Sequence, residues 1–193
     1  MMGDGRVDMS GRVIVLCGPQ GSGKGLVAGR AVERGIAVLS LGDVVRAQVA
    51  ADGLEASAAN VGSTGLSMRE EWGEAVVVER LLPMVHEALE AAVVLIDGMR
   101  QPLEFDRLVE DFAEAEILAL EATDEARQAW LAGRGRGEDE GGFGEREKRE
   151  WAWGLAELMA RARVTIVNNG SFDELLTIAD QAVDALGGRR AHR

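Results

Sequence analysis

The chain has 193 residues and is acidic, with 33 Asp and Glu against 21 Lys and Arg, a formal net charge of −12 and a single cysteine. This length suits one α/β domain with a sizeable core and a small inserted lid, whereas the negative charge disfavours a broad surface for nucleic acid. One cysteine excludes a disulfide framework. Because no run of about 18 apolar residues and no apolar leader is present, we expect neither a membrane span nor an export signal, and a cytoplasmic protein.

Short apolar runs and helical periodicity predict strands and helices that alternate along the chain. The predicted strands span residues 13–17, 36–40, 92–96, 115–122 and 164–167. The predicted helices span residues 23–34, 42–51, 67–91, 103–112, 124–132, 146–162 and 171–186. We expect Pro83 to kink or break the third helix, and Thr123 and Ser171 to cap the helices that begin beside them.

The remaining segments complete the predicted domain. Residues 52–65, rich in Ala, Ser and Gly, predict a loop or an irregular helical connection, and the glycine-rich residues 133–144 predict a mobile flap. Strands that alternate with helices form a parallel sheet, and such sheets bind ligands beyond the carboxyl ends of their strands. We therefore expect a single α/β domain over residues 12–187, with flexible ends at residues 1–11 and 188–193.

A glycine-rich loop follows the first predicted strand and reads GPQGSGK at residues 18–24. Glycines let backbone N–H groups turn toward phosphate oxygens, the lysine reaches the β- and γ-phosphates, and the next helix presents its positive end. The alternative is a turn that merely joins a strand to a helix. The residues predicted to bind ATP here are Gly18, Gly21, Ser22, Gly23, Lys24, Gly25 and Leu26.

The two residues after the lysine depart from the usual pattern of this loop. Gly25 and Leu26 stand where a Ser or Thr hydroxyl that ligates Mg²⁺ is expected. Metal would therefore be held mainly by carboxylates and phosphates, with water between them, or the site is catalytically impaired.

Three segments resemble the signatures of adenylate-kinase-type nucleoside monophosphate kinases. They read GPQGSGKG at residues 18–25, SLGDVVR at 40–46 and IDGMR at 96–100. From about residue 12 to residue 186 the chain is also similar to the archaeal adenylate-kinase-related, dephospho-coenzyme-A-kinase-like proteins. The segments that carry this second resemblance read NVG at 60–62, REEWGE at 69–74, RGR at 134–136, REKREWAWG at 146–154 and VNNG at 167–170.

The resemblance implies a three-layer P-loop fold of the nucleoside monophosphate kinase type, with a five-stranded parallel sheet and a short mobile lid. It places the acceptor-binding segment at about residues 41–91 and the lid at about 133–149. It also implies an ATP-dependent kinase with Mg²⁺ as cofactor, which transfers the γ-phosphoryl group to a nucleotide-like acceptor. The catalytic residues that it implies are Lys24, Asp97, Arg100 and Arg134.

The acceptor side is assigned from the ends of the second and third predicted strands. By analogy with nucleotide kinases, Arg46 and Arg100 would hold the phosphate of the acceptor, although two surface salt-bridge arginines are the alternative. Asp97 is the first candidate for binding Mg²⁺ or its water shell. Asp43 is the second candidate for the metal and also belongs to the acceptor site. Either aspartate could instead cap the helix that follows it.

The donor side is assigned from the flap and from the last predicted strand. Arg134 and Arg136, with Arg127 before them, resemble lid arginines that close over ATP, and a disordered solvated loop is the alternative. Asn169 belongs to a turn that resembles the border of the adenine site. Weaker candidates are Arg161 or Arg163, for stacking on the purine, and Arg146 and Arg149, for the phosphates. The acids that could instead make the last two part of an ion-paired surface are Glu145, Glu147 and Glu150.

Two alternatives to a nucleoside monophosphate kinase remain open from the sequence. A dephospho-coenzyme A kinase would phosphorylate a ribose hydroxyl, and Asp43 could act as its base. A nucleotide-dependent switch or binding module of another class would bind nucleotide with negligible transfer to a small molecule, which the missing loop hydroxyl favours. Both a monomer and a homodimer remain open as well.

Overall fold

The computed structural model describes residues 11–89, 93–134 and 143–187. Its strands are β1 (Arg12–Cys17), β2 (Ala37–Ser40), β3 (Val93–Asp97), β4 (Glu116–Glu121) and β5 (Val164–Val167). Its helices are α1 (Lys24–Glu33), α2 (Leu41–Ala51), α3 (Ala58–Trp72), α4 (Val76–Ala88), α5 (Pro102–Asp111), α6 (Asp124–Arg134), α7 (Phe143–Ala152), α8 (Leu155–Ala160) and α9 (Phe172–Gly187).

The five strands form one parallel sheet in the order β2-β3-β1-β4-β5. In the central strand, Val15 lies opposite Ile96 of β3 and Ile117 of β4. Because all strands run the same way, their carboxyl ends meet at one edge of the sheet, and the loop of residues 18–24 leaves β1 at that edge. The five-stranded parallel sheet predicted from the sequence is confirmed.

Alternation along β1 builds two apolar cores, one on each face of the sheet. Val13, Val15 and Cys17 face a core that α2, α4, α5 and α8 complete. Ile14 and Leu16 face a second core that includes residues of α1 and α9. The sheet is therefore the middle of three layers. Burial raises the pKa of the Cys17 thiol to about 12, as expected of a structural rather than a reactive cysteine.

The helices between β2 and β3 differ from the prediction. The Ala-, Ser- and Gly-rich segment contains the start of α3, because the Ser57 hydroxyl accepts a hydrogen bond from the backbone N–H of Asn60 (3.2 Å) and caps that helix. The predicted helix 67–91 is two helices, interrupted at Gly73, whose φ angle is 99°. Pro83 lies inside α4, which continues to Ala88.

The region around the predicted flap is partly helical. α6 extends through Arg134 and α7 begins at Phe143, whereas residues 135–142 lie outside the described residues. The predicted helix 146–162 is interrupted at Gly154, whose φ angle of 96° separates α7 from α8. The predicted flexible ends, residues 1–11 and 188–193, also lie outside the described part of the chain, except for residue 11.

Other predicted features agree with the structure. The hydroxyl groups of Thr123 and Ser171 accept hydrogen bonds from the backbone N–H groups of Ala126 and Glu174, both at 3.3 Å, as helix caps do. Within the described ranges, no helix has the length and apolar character needed to cross a bilayer.

Candidate functional site

The loop of residues 18–24 is wrapped closely against β4 and α6. Gly18 and Gly21 have φ angles of 144° and 80°, which glycine adopts without strain. A Cβ atom at Gly18 would lie 2.2 Å from the carbonyl oxygen of Leu120, and one at Gly21 would lie 2.9 Å from that of Arg127. Larger residues therefore do not fit at these two positions, and the loop backbone keeps the turn that the sequence predicts.

Lys24 is the first residue of α1 and is almost completely buried, with 8% of its surface exposed. Its Nζ donates hydrogen bonds to the carbonyl oxygens of Gly18 (2.6 Å) and Pro19 (2.8 Å). Burial, and after it the charge of Arg100, lowers the pKa of Lys24 to about 7, against the opposing charges of nearby carboxylates. An anion in the loop would be a better partner for this ammonium than the carbonyls, and would raise its pKa.

Arg100 lies beside the loop and meets Lys24 there. Its Nη1 donates to the carbonyl oxygen of Gly18 (3.2 Å), which also accepts from Lys24. Its Nε lies 3.2 Å from Oε1 of Glu150 in α7, and the two side chains are only 13% and 4% exposed. From the sequence, Glu150 was one of the acids that could form an ion-paired surface with Arg146 and Arg149. In the structure its buried carboxylate pairs with Arg100, and its charge also acts on Lys24.

Asp97 is the last residue of β3 and lies opposite Leu16 of β1 and Ser40 of β2. Its Oδ1 is buried and has no hydrogen-bond partner among the described residues. A buried carboxylate oxygen without a partner is unfavourable, so it suits a metal ion or a metal-bound water. Across the described ranges, no group of three or more His, Cys, Asp or Glu side chains is arranged to hold a metal ion. Phosphate oxygens and water would have to complete such a site.

A buried ionic network fixes the backbone at Arg100. Glu104 of α5 is fully buried and accepts hydrogen bonds from the backbone N–H of Arg100 (3.1 Å) and from Nη2 of Arg69 (2.7 Å). Arg69 also donates to the carbonyl oxygen of Gly65 (2.9 Å), and its guanidinium lies 5.0 Å above the ring of Trp153. The sequence did not single out Glu104. Its one signal was an acid in the first turn of a helix beside a motif arginine.

Two further buried side chains hold the loop from the side of β5 and α6. Asn168 donates from Nδ2 to the carbonyl oxygen of Ser22 (3.1 Å). Arg127, predicted beside the lid, is 1% exposed and donates to the carbonyl oxygen of Gln20 (3.1 Å) while it pairs with Glu147 of α7. Both side chains support the loop backbone. The sequence could not reveal this, because polar residues after a strand or in a helix are usually solvated.

Arg46 and Asp43 lie on α2, which begins directly after β2 at the same edge of the sheet. They form an ion pair with each other at 2.6 Å, and their side chains are 42% and 69% exposed. Gly98, after β3, is close to this helix, since a Cβ atom there would lie 3.6 Å from the backbone nitrogen of Gly42. Arg46 thus lies in the helix that follows β2, and its partner in the structure is the neighbouring carboxylate of Asp43.

The structure brings fewer of the predicted donor-side residues close to the loop. The Oδ1 of Asn169 accepts a hydrogen bond from the backbone N–H of Thr123 (2.9 Å), so it ties the turn after β5 to the start of α6. Arg161 and Arg163 precede β5 and lie at the opposite edge of the sheet, where they pair with Asp106 and Glu116. They cannot stack on a base bound near the loop. The side chains of Arg134, Arg146 and Arg149, and all of Arg136, lie outside the described residues.

A protein-family model described as an AAA domain matches residues 13–157 of the chain. The chain is 32% identical over 180 residues to a UPF0200 protein of Pyrococcus horikoshii, covering 90% of this chain and 97% of that protein. It is 35% identical over 170 residues to a UPF0200/UPF0201 protein of Archaeoglobus fulgidus, covering 86% of this chain. The match spans only 53% of the Archaeoglobus protein, about half of its length.

Solved structures share the fold at lower identity. TT1252 from Thermus thermophilus has a TM-score of 0.62 at 24% identity, covering 91% of this chain and 98% of that one. Shikimate kinase from Bacteroides thetaiotaomicron has a TM-score of 0.53 at 17% identity, covering 91% and 96%. The fold is therefore that of P-loop kinases.

Proposed function

Because the chain belongs to the UPF0200 family and carries an AAA domain over residues 13–157, we propose that it is an ATP-dependent phosphotransferase. It moves the γ-phosphoryl group of ATP to a nucleotide-type small molecule. The observation that supports this proposal most is that Lys24 and Arg100 both donate hydrogen bonds to the carbonyl oxygen of Gly18. This carbonyl belongs to the glycine-rich loop that precedes α1. Two cations at this point match the charge that builds up during phosphoryl transfer.

The residues in and around the loop bind different parts of the triphosphate. Backbone N–H groups around Gly21 and Gly23, together with the start of α1, hold the β- and γ-phosphates. Lys24 leaves the two carbonyls and turns to the γ-phosphate, where it stabilises the transferring group. Arg100 neutralises charge on the same group, and Arg134 is proposed to do so from the end of α6. The Asn168 contact keeps the loop in the geometry that in-line transfer requires.

For binding of the acceptor and of the base of ATP, we propose the same residues that the sequence predicts. Arg46 and Asp43 position the acceptor from α2, and Asn169 borders the base of ATP. An aromatic pair, Trp130 of α6 and Phe172 of α9, lies beside that turn with ring centroids 5.6 Å apart. Because purines stack on such rings, this pair is the better candidate for contacting the base than Arg161 or Arg163.

The donor set fits Mg²⁺ only in part. The partnerless Oδ1 of Asp97 would hold the ion or one of its waters, and Asp43 is a second, exposed candidate. Bound Mg²⁺ would neutralise phosphate charge. Gly25 and Leu26 offer no hydroxyl, so Asp97 carries more of the binding than in loops that have one.

Replacement of Asp97 tests the metal assignment. Asp97→Asn is expected to lower kcat with ATP about a hundredfold and to raise the Mg²⁺ concentration needed for half-maximal rate, because the carboxylate charge is lost at nearly constant shape. The assay is coupled ADP release with a panel of nucleoside monophosphates, nucleosides and dephospho-coenzyme A as acceptors. Asp106→Asn, at an exposed ion pair away from the loop, is the control. Equal Mg²⁺ dependence in the two variants would contradict the assignment.

The same panel separates the kinase from a nucleotide-dependent switch. Tight ATP binding by folded protein without a phosphorylated product from any acceptor would contradict the kinase proposal and favour the switch.

ATP binding is expected to take up a proton above pH 7. The pKa of Lys24 is about 7 in the free protein and rises when phosphate replaces the carbonyls, so ATP binds a lysine that must first be protonated. Affinity should fall by up to about tenfold per pH unit above pH 7. Calorimetry at pH 8.5 in two buffers of different ionisation enthalpy measures the uptake, which should approach one proton. No uptake in the native protein would show that Lys24 is already charged before ATP binds.

A further inference from the structure

A buried ion pair contacts the backbone of Arg100. The two oxygens of the Glu104 carboxylate have different partners, since Oε1 accepts from Nη2 of Arg69 (2.7 Å) and Oε2 accepts from the backbone N–H of Arg100 (3.1 Å). The Glu104 side chain is fully buried, and that of Arg69 is 9% exposed. Arg69 is itself anchored in α3, where it donates to the carbonyl oxygen of Gly65 (2.9 Å). The pair therefore joins α3 to the segment between β3 and α5 that contains Arg100.

Stability alone does not account for this pair. Burial removes water from both charged groups, and an apolar pair of similar volume often stabilises a fold as well or better. The hydrogen bonding is also incomplete, because Nε of Arg69 is buried and has no hydrogen-bond partner among the described residues. Glu104 is the third residue of α5 and reaches back past the N-cap residue Gln101. A glutamine at this position would cap the helix as well and would need no arginine.

The contact between Arg100 and the loop depends on the backbone of Arg100. Its Nη1 donates to the carbonyl oxygen of Gly18 (3.2 Å), which also accepts from Lys24. The chain turns shortly before it, at Gly98, whose φ angle is 97°. Because a long side chain amplifies a small rotation of its own backbone, the guanidinium stays at the loop only if the peptide of Arg100 is held in place.

Building on the proposed function, we propose that Glu104, oriented by Arg69, is a positioning residue for Arg100 in phosphoryl transfer. Oε2 of Glu104 fixes the Arg100 peptide, so that the guanidinium lies where charge builds up on the transferring group. Arg69 holds the carboxylate so that Oε2 faces the Arg100 N–H. The effect depends on the oxygen that accepts from Arg100 and not on the charge of the pair.

Two double variants separate the oxygen from the charge. Arg69→Met with Glu104→Gln removes both charges and keeps an oxygen for the Arg100 N–H, whereas Arg69→Met with Glu104→Met removes that oxygen as well. The Nε–H signal of Arg100 in proton–nitrogen NMR of the ligand-free protein, assigned by its loss in Arg100→Lys, reports where the guanidinium lies. It should differ between the two double variants and lie close to its native position only with Glu104→Gln. The same signal in both would overturn the proposal.

Binding of a non-hydrolysable ATP analogue with Mg²⁺, measured by calorimetry, gives the functional readout. Affinity should stay within about threefold of native with Glu104→Gln and fall about tenfold with Glu104→Met. Adding Arg100→Met should cost about tenfold in the first background and less than about twofold in the second, because a misplaced guanidinium contributes little. An equal cost in both backgrounds would show a purely structural role. Arg161→Met with Asp106→Asn, which removes an exposed ion pair of α5, should leave affinity unchanged.

Turnover distinguishes this inference from the proposed function. With the acceptor panel, kcat should fall about thirtyfold with Glu104→Met and stay within about threefold of native with Glu104→Gln. Equal kcat in the two folded variants would overturn the positioning role and keep the kinase. Native protein that gives no product would contradict the proposed function, and the Arg100 signal would still decide the positioning role. Should the Glu104→Met variant not fold, a displaced Arg100 signal in the Glu104→Gln variant would overturn the proposal, and a native one would support it.

Discussion

Lys24→Met is expected to abolish phosphoryl transfer, with kcat/KM at least about a thousandfold below that of the native protein. The reason is that Nζ, which donates to the carbonyl oxygens of Gly18 and Pro19, is the cation that we propose reaches the γ-phosphate. Initial rates at saturating Mg²⁺ measure the loss. Arg163→Met removes a cation from the opposite edge of the sheet and should retain full activity. A Lys24→Met variant within tenfold of the native rate would refute the assigned role.

The same substitution should stabilise the ligand-free protein at low pH. Folding lowers the pKa of Lys24 from 10.5 to about 7, which corresponds to about 5 kcal/mol for a charged lysine below pH 7. The unfolded chain binds the proton up to pH 10.5, so this penalty is complete below pH 7 and disappears as the pH rises toward 10.5. Because Lys24→Met also loses two hydrogen bonds, we expect its free energy of unfolding at pH 6 to exceed that of the native protein by only about 2 kcal/mol. Urea unfolding at pH 6 and pH 9 measures it, and a gain that grows with pH would contradict the burial of a charged lysine.

Glu104→Gln is expected to give the largest loss of stability, about 3–5 kcal/mol in the free energy of unfolding. It leaves the guanidinium of Arg69, 9% exposed, without its opposite charge. Chemical denaturation at pH 7 measures the loss. Glu110→Gln in the same helix, where the carboxylate is 70% exposed, should cost less than about 0.5 kcal/mol.

A double mutant makes the Glu104 test specific for the ion pair. Arg69→Met combined with Glu104→Gln should recover more than half of the lost stability, because no unpaired buried charge remains. Strictly additive losses would show that the two side chains act independently.

The sequence predicted what depends on local pattern. The β1 run and the glycines after it placed the loop correctly, and Asp97 was correctly placed at a strand end, because strand ends and tight turns leave a signature in neighbouring residues. The predicted boundaries of α3 and α4 were wrong, because the cap at Ser57 starts α3 inside the segment predicted as a loop or irregular connection. The helix predicted over residues 67–91 is interrupted at Gly73 and is not broken at Pro83.

The site itself was predictable only in outline. Glu104 and Glu150 come from α5 and α7, which the fold brings to the loop from far along the chain, and nothing in their neighbours marks them as buried. A charged residue in an amphipathic helix is usually solvated, so the sequence favoured an ion-paired surface. The sequence predicted Asn169 as the site residue, whereas the amide that contacts the loop is that of Asn168. The sequence does not show which of two adjacent amides points toward the loop.

The central claim is that Lys24 and Arg100 form the phosphoryl-transfer centre of a small-molecule kinase. Phosphorus NMR of ATP incubated with the native protein, Mg²⁺ and the acceptor panel tests it most directly. We expect the γ-phosphate signal to disappear with matching growth of ADP and of a phosphorylated acceptor, and neither change with Lys24→Met. Transfer at the same rate by Lys24→Met, or ATP that stays intact beside every acceptor while the native protein binds it, would contradict the claim.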